Sequence, residues 1–256
     1  MTDRQLIPDN NTLFHCFQNL GNQHCFVGRL RLKAAEEFLL HDLEGRGVLL
    51  FPSGLSQLLA RSKVAQARLL GHFMVPLTMA VFDHHELLEA VNRYGRHQIG
   101  PVITKADRKN GGQGINKWSS IEDVFNQAGR GALAYPFVLQ PFFADAADIR
   151  VICLDDYQES YTRHNPDNFR NNLHCGGVGK SVELSEAQQQ LCRAVMERGA
   201  FPYGHIDLLV SSDGASYLSE INLRGGLRGA RIKGARYQEL VDRIHRDFIR
   251  QNCIRD

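Results

Sequence analysis

Residues 204–222 read "GHIDLLVSSDGASYLSEIN", two runs of strand-forming residues around a turn signal. The Asp213-Gly214 pair predicts a two-residue hairpin turn with positive φ at both central positions. With Ser212 facing Ala215, the register sets Asp207 directly opposite Glu220 and His205 opposite Asn222. Carboxylates so placed have Cβ atoms about 5 Å apart and repel, so they need a cation or a shared proton. A hard divalent cation answers that need. Asn222 shares the face through the period-2 alternation and adds a neutral oxygen, and such a set suits Mg²⁺, with Mn²⁺ as a substitute, held together with phosphate groups. The competing reading is a polar strand face turned to solvent. Leu209 and Leu218, which strict alternation puts on the same face, argue for burial instead.

On the C-terminal side, "LRGGLRGARIKGAR" carries Arg224, Arg228, Arg231, Lys233 and Arg236. This stretch reads either as a solvated basic face or, because Arg224 is two residues from Asn222, as a wall that meets an anionic substrate. On the N-terminal side, "VITKADRKNGGQGI" ends a strand at Lys105 and then offers Gly111, Gly112 and Gly114, whose amides can approach phosphate oxygens. A glycine-rich hairpin loop is by itself more often structural.

The whole chain has 256 residues, of which 43% are apolar and 23% charged, with a formal net charge of +2. That composition is ordinary for a globular protein and gives no global case for nucleic acid or membrane binding. The polar start "MTDRQLIPDN" lacks the apolar core of a signal peptide, and no run is long enough to span a bilayer, so a cytoplasmic protein is expected. The six cysteines form no CxxC pair and suit reduced thiols better than a disulfide framework. Strand and helix signals alternate, which points to α/β or α+β. "TLFHCF", "HCFVGRL" and "GVLLFP" read as strands of a small N-terminal unit, and Ser53 as the cap of one long helix through "SQLLARSKVAQARLLGHF". Beyond it lie helix 84–94, strand "GPVITK", helix "SIEDVFNQAG", strands "YPFVLQPF", "DIRVICL" and "SYTR", helix 185–199, the hairpin and a closing amphipathic helix.

The order and spacing of "DIRVICLDD", Arg163, "FRNNLHCGG", "GHIDLL" and "SEIN" resemble the ATP-grasp carboxylate-amine ligases, in particular the RimK-like and glutathione synthetase-like branch. The likeness extends to "GLSQLLARSKVAQARLLGHFMVP" and "PVITK", so it covers residues 47 to 232. It implies an α+β fold in which two α/β subdomains clasp ATP, with a shortened N-terminal α/β domain (1–62) before the ATP-grasp domain (63–256). It also implies an ADP-forming ligase that activates a carboxylate as an acyl phosphate for attack by an amine. The alternative is a non-catalytic, regulatory ATP-binding module. By the resemblance, Asp207, Glu220 and Asn222 are magnesium ligands, and Lys63, Lys105 and the glycines 111, 112 and 114 hold ATP phosphates. Gln140 meets adenine, and Asp148 the ribose. Arg170 stands near the transferred phosphoryl group, and Arg163 and Asn172 hold the acyl phosphate. The implied partners are a small-molecule or peptide substrate, acidic if Arg224 and Arg228 face it; an oligomer is compatible, and nucleic acid is not expected.

The chain departs from that pattern at four points. Cys175 stands where the branch has arginine, His205 where a glycine is usual, and Pro141 where glutamate follows the glutamine of the hinge strand. The basic stretch 224–236 replaces small residues.

Overall fold

The computed structural model describes residues 4–109, 111–165 and 178–253. Strands β1 (Gln5–Ile7), β2 (His24–Val27) and β3 (Leu49–Phe51) form a parallel sheet in the order β1-β2-β3. Helices α1 (Asn10–His15) and α2 (Phe38–Gly45) bury Leu13, Leu40 and Leu43 against Ile7, Phe26 and Leu50. The stretch "TLFHCF", expected as a strand, is helical through His15 and then turns into a short 3₁₀ segment. The reason is local: Asp9 caps α1 by accepting the Thr12 N–H at 2.8 Å, which rewards a helical turn.

The single long helix expected after Ser53 is two helices, α3 (Gly54–Leu59) and α4 (Lys63–Leu69). Ser62 has extended backbone and starts the second one, its Oγ accepting the Ala65 N–H at 3.0 Å. Leu58 packs on the N-terminal core, whereas Leu59 belongs to the large core beyond it.

A four-stranded antiparallel sheet follows, in the order β4-β7-β5-β6. Its strands are β4 (Met79–Val81), β5 (Val102–Ala106), β6 (Ile115–Trp118) and β7 (Phe137–Pro141). Helices α5 (His84–Arg96) and α6 (Ile121–Gly129) cover it, capped by Asp83 and by a Ser120/Asp123 capping box. Leu87, Tyr94, Val124 and Phe137 fill the space between.

The second antiparallel sheet has five strands in the order β10-β9-β8-β11-β12. They are β8 (Ala147–Leu154), β9 (Tyr157–His164), β10 (Val178–Ser181), β11 (Tyr203–Val210) and β12 (Ser216–Asn222). Helices α7 (Glu186–Arg198) and α8 (Gly234–Asn252) belong to the same unit, and Val195 and Leu240 join Val151, Ile206, Leu208 and Ile221 in the large core.

The hairpin between β11 and β12 has a three-residue loop. Ser211 N–H donates to Ala215 O and Gly214 N–H to Ser211 O, both at 2.9 Å, and of the turn residues Gly214 is the one with positive φ, +87°. That turn shifts the register by one residue near the loop, pairing Leu209 with Tyr217 and Leu208 with Leu218. A β-bulge at Ser219 then restores Asp207 opposite Glu220 and His205 opposite Asn222. Leu218 consequently lies with Leu208 in the core and not on the face of Asp207, contrary to the simple alternation.

Cys25 and Cys253 form a disulfide that ties β2 to the end of α8, which corrects the expectation of six reduced thiols; Cys16, Cys153 and Cys192 are free. Phe248 of α8 stacks on Phe51 of β3 with ring centroids 4.0 Å apart, so apolar packing joins the same two parts. Among the described residues no helix is long and apolar enough to cross a membrane.

Candidate active site between two antiparallel sheets

Cross-strand register builds the site. Tyr161 on β9, Arg150 on β8, Asp207 on β11 and Glu220 on β12 are successive neighbours across the five-stranded sheet. One face therefore carries a cation and two acids side by side. Arg150 grips Asp207 with both ends of its fork, Nε to Oδ1 and Nη2 to Oδ2, each at 2.8 Å. Arg163 adds a contact from Nη2 to Oδ2 at 3.0 Å and continues to Asp148 Oδ1 at 2.6 Å. Charges of alternating sign thus run Arg150, Asp207, Arg163, Asp148.

Burial sets the titration of this chain, and the partners decide its sign. Burial disfavours the charged Asp207, yet Arg163 and Arg150 outweigh it and hold the carboxyl well below the usual range. Both guanidiniums are pushed up in return, against their own burial, by Asp207 and its neighbours. Asp148 fares differently: burial raises it to about 6, with Arg163 opposing and the Asp207 charge assisting.

Glu220 has its own counterion. Lys63, at the start of α4, places Nζ 3.0 Å from Glu220 Oε1 and 2.7 Å from the Lys109 carbonyl, and Asn222 Nδ2 donates to the same Oε1 at 3.0 Å. From the four-stranded sheet, Lys105 reaches the Ser219 carbonyl and Oγ, both at 3.3 Å, so the bulge offers the lysine an acceptor. Burial lowers the Lys105 pKa to about 8. Gln66, one turn after Lys63, binds both backbone groups of Ile221: its Oε1 accepts the N–H at 3.0 Å and its Nε2 donates to the carbonyl at 2.8 Å.

These groups line a cavity of about 1400 Å³ between the two sheets. Lys63, Lys105, Gly111, Gly112 and Gln140 border it, as do Asp148, Arg163, Asp207, Glu220 and Asn222. Gly114 shapes the turn at the end of the loop and is not among the wall residues: it accepts the Ala106 N–H at 2.9 Å with φ +73°, and a Cβ there would come within 2.8 Å of the Ala106 Cβ. Asp148 is engaged by Arg163, which sets a competing partner against the ribose contact expected of it. Arg170, Asn172 and Cys175 lie outside the described residues.

The glycine-rich loop is moored at its entrance. Asp107 Oδ1 accepts the Ser62 Oγ–H at 2.9 Å and the Val64 N–H at 3.2 Å, and Arg108 pairs with Glu37 of the N-terminal unit at 2.9 Å. The basic stretch divides. Arg224 and Arg228 line the cavity with Arg29 of the N-terminal unit, whereas Arg231 pairs with Glu159 and Arg236 with Glu239. The almost buried Glu159 carboxylate also accepts the N–H groups of Arg231 and Ile232 at 3.0 and 3.4 Å, which pins this loop to β9. His205 is 1% exposed, contacts Tyr237 Oη through Nε2 at 3.0 Å, and packs so closely under Gly225 that a Cβ there would fall 2.5 Å from Nδ1. It is a packed core histidine whose pKa burial lowers to about 4, with Arg150 adding to the effect.

The donor set fits a hard cation shared with a polyanion. Two facing carboxylates and an amide oxygen are hard ligands, but they are too few to complete a coordination sphere, and among the described residues no cluster of three or more His, Cys, Asp or Glu forms a self-sufficient metal cage. Remaining positions would fall to phosphate oxygens and water, with Lys63 and Lys105 facing those phosphates.

A family model described as the RimK-like ATP-grasp domain matches residues 56–243. The chain belongs to the RimK-like ATP-grasp family. Glutathione synthetase of Agrobacterium fabrum is 28% identical over 178 residues, covering 63% of this chain and 51% of that protein. A probable alpha-L-glutamate ligase 2 of Hahella chejuensis is 26% identical over 217 residues, covering 80% and 68%. The chain spans about half the length of the first of these relatives. D-cycloserine synthetase shares the fold with a TM-score of 0.60 at 17% identity over 86% of this chain and 84% of that one. So does D-alanyl-alanine synthetase A of Vibrio cholerae, with a TM-score of 0.59 at 15% identity over 87% and 76%. The ATP-grasp architecture accounts for the two facing sheets and the cavity between them.

Two residues that line this ATP-grasp cavity, Arg150 and Arg29, and one that supports its wall, Gln66, escaped sequence reasoning. Arg150 carried a usable signal, because in "DIR" it alternates with Asp148 and so shares its face. Gln66 and Arg29 act across elements distant in sequence and left no local trace.

Proposed function

We propose that this chain is an ATP- and Mg²⁺-dependent ligase that activates a carboxylate as an acyl phosphate and joins it to an amine, releasing ADP and phosphate. The observation that carries the reading is the facing of Lys63 and Lys105 against Asp207 and Glu220 in one cavity, with Gln140 and the glycine-rich loop along its wall. In this reading a carboxylate oxygen of the substrate bonds to the γ-phosphorus as the bond to the β-phosphate oxygen breaks. The amine then attacks the acyl carbon, loses its proton, and phosphate departs. No protein nucleophile is required.

Lys63 and Lys105 bind and orient the phosphates, and Arg163 faces the acyl group as a fixed positive charge. When bound at Asp207, Glu220 and Asn222, Mg²⁺ supplies charge neutralisation of the phosphate oxygens. Arg170 and Asn172 stay assigned to the transferred phosphoryl and acyl phosphate by the family resemblance. Arg29, Arg224 and Arg228, which line the same cavity, favour a substrate with a second negative charge, such as an acidic amino acid or a peptide C-terminus. A cytoplasmic setting belongs to the same proposal.

The test is ADP release screened against amino acids, short peptides and peptide C-termini, with Asp207→Asn and Glu220→Gln as controls that remove Mg²⁺-dependent turnover. Nucleotide binding with no turnover in any combination would favour the regulatory ATP-binding module instead.

A further inference from the structure

We propose that Arg150 masks the metal site: it occupies Asp207 until a nucleotide arrives, so that a divalent cation enters only together with phosphates, and it is the guanidinium that lets go. The proposal rests on the nucleotide-binding reading above.

A carboxylate offers about four lone-pair directions, and N–H donors already claim three on Asp207, two from Arg150 and one from Arg163. On Glu220, Lys63 and Asn222 occupy one of the two oxygens, Oε1. A free divalent cation therefore meets two guanidiniums at Asp207 and an ammonium at Glu220 Oε1. Electrostatic repulsion and lost hydrogen bonds both oppose its entry. A nucleotide changes this balance because its phosphates give the guanidinium another anion and bring oxygen ligands for the metal.

Arg150, and not Arg163, is the mobile member. Arg163 also holds Asp148, and its side chain is 5% exposed, so its departure would strand a second buried carboxylate. The Arg150 side chain is 16% exposed and also approaches the Gly226 carbonyl through Nη1 at 3.5 Å, in the loop whose Arg224 and Arg228 line the cavity. Release of Arg150 leaves Asp207 paired with Arg163 and frees a guanidinium beside the Gly226 loop.

The experiment is titration of the full chain with Mn²⁺, followed by electron paramagnetic resonance, first without nucleotide and then with ADP. The wild type should bind Mn²⁺ weakly alone and much more tightly with ADP. Arg150→Met should tighten nucleotide-free binding by about tenfold or more, and Arg150→Met combined with Asp207→Asn should lose that gain. Arg150→Lys, which keeps a charge but not the fork, should fall between and serves if the methionine variant does not fold by circular dichroism. Wild-type binding as tight without nucleotide as with it, or unchanged Mn²⁺ affinity in the folded Arg150 variants, overturns the proposal. Failure of ADP to bind under any condition would instead sink the nucleotide reading, while the Mn²⁺-only comparison still decides the masking.

Discussion

Gln66 binds both backbone groups of Ile221, the residue between Glu220 and Asn222 on the edge strand β12. An edge strand presents unpaired N–H and C=O groups, and here a side chain from α4 stands in for the missing neighbour. The same helix carries Lys63 to Glu220, so one rigid element sets both the strand and its counterion. Gln66→Met keeps the volume but leaves two buried polar groups unpaired, which should cost about 3 kcal/mol in urea denaturation. A loss below about 1 kcal/mol would mean that water or a rearranged strand satisfies Ile221 equally well.

The register at this strand shows how far the sequence could be read. The facing of Asp207 and Glu220 was legible, but through two errors that cancel: the turn is three residues long, and the bulge at Ser219 returns the missing step. A bulge has no compositional mark, so Leu218 was placed on the wrong face. The longer elements from β5 to α8 were legible because their alternation and caps agree, whereas the short strands β6 and β10 went unread beside loop-like composition. "TLFHCF" was not, since its apolar pattern fits a strand as well as a helix and only the Asp9 cap decides. The counterions Arg150 and Lys63 depend on which strands and helices become neighbours, a tertiary fact. The lysine was reached through family likeness, and the arginine was not.

His205 predicts a pH dependence of stability. Its folded pKa, lowered to about 4 by burial, lies below the unfolded value of about 6.5, so the unfolded chain binds more protons between them. Stability from this group is full above pH 6.5 and is lost as the pH falls toward 4. Wild type should lose about 2 kcal/mol more than His205→Gln between pH 7.5 and pH 5. Parallel denaturation curves for the two proteins at both pH values would contradict this.

Lys105 predicts proton uptake on nucleotide binding. Burial lowers it to about 8, and phosphate oxygens beside Nζ favour the ammonium form. At pH 8.5 binding should therefore take up about half a proton or more, and at pH 7 much less, because the lysine is already charged there. Calorimetry in buffers of different ionisation enthalpy measures this directly. Uptake that persists in Lys105→Met would assign the proton to another group.

The Arg108–Glu37 pair at 2.9 Å moors the glycine-rich loop to the N-terminal unit. Arg108 is partly exposed, so the pair should contribute about 1 kcal/mol or less to global stability. Glu37→Gln should leave the melting curve almost unchanged yet raise hydrogen exchange in residues 106–114, and nucleotide should restore the protection. Unaltered exchange in the variant would show that Asp107 and Lys63 suffice to hold the loop.

In the proposed function, the cavity transfers a phosphoryl group from ATP to a carboxylate. With an accepted acid labelled with ¹⁸O in its carboxylate, one labelled oxygen should appear in the inorganic phosphate released on turnover with the amine, detected by mass spectrometry. Phosphate released without label during ligation would contradict an acyl phosphate and the function assigned to this site.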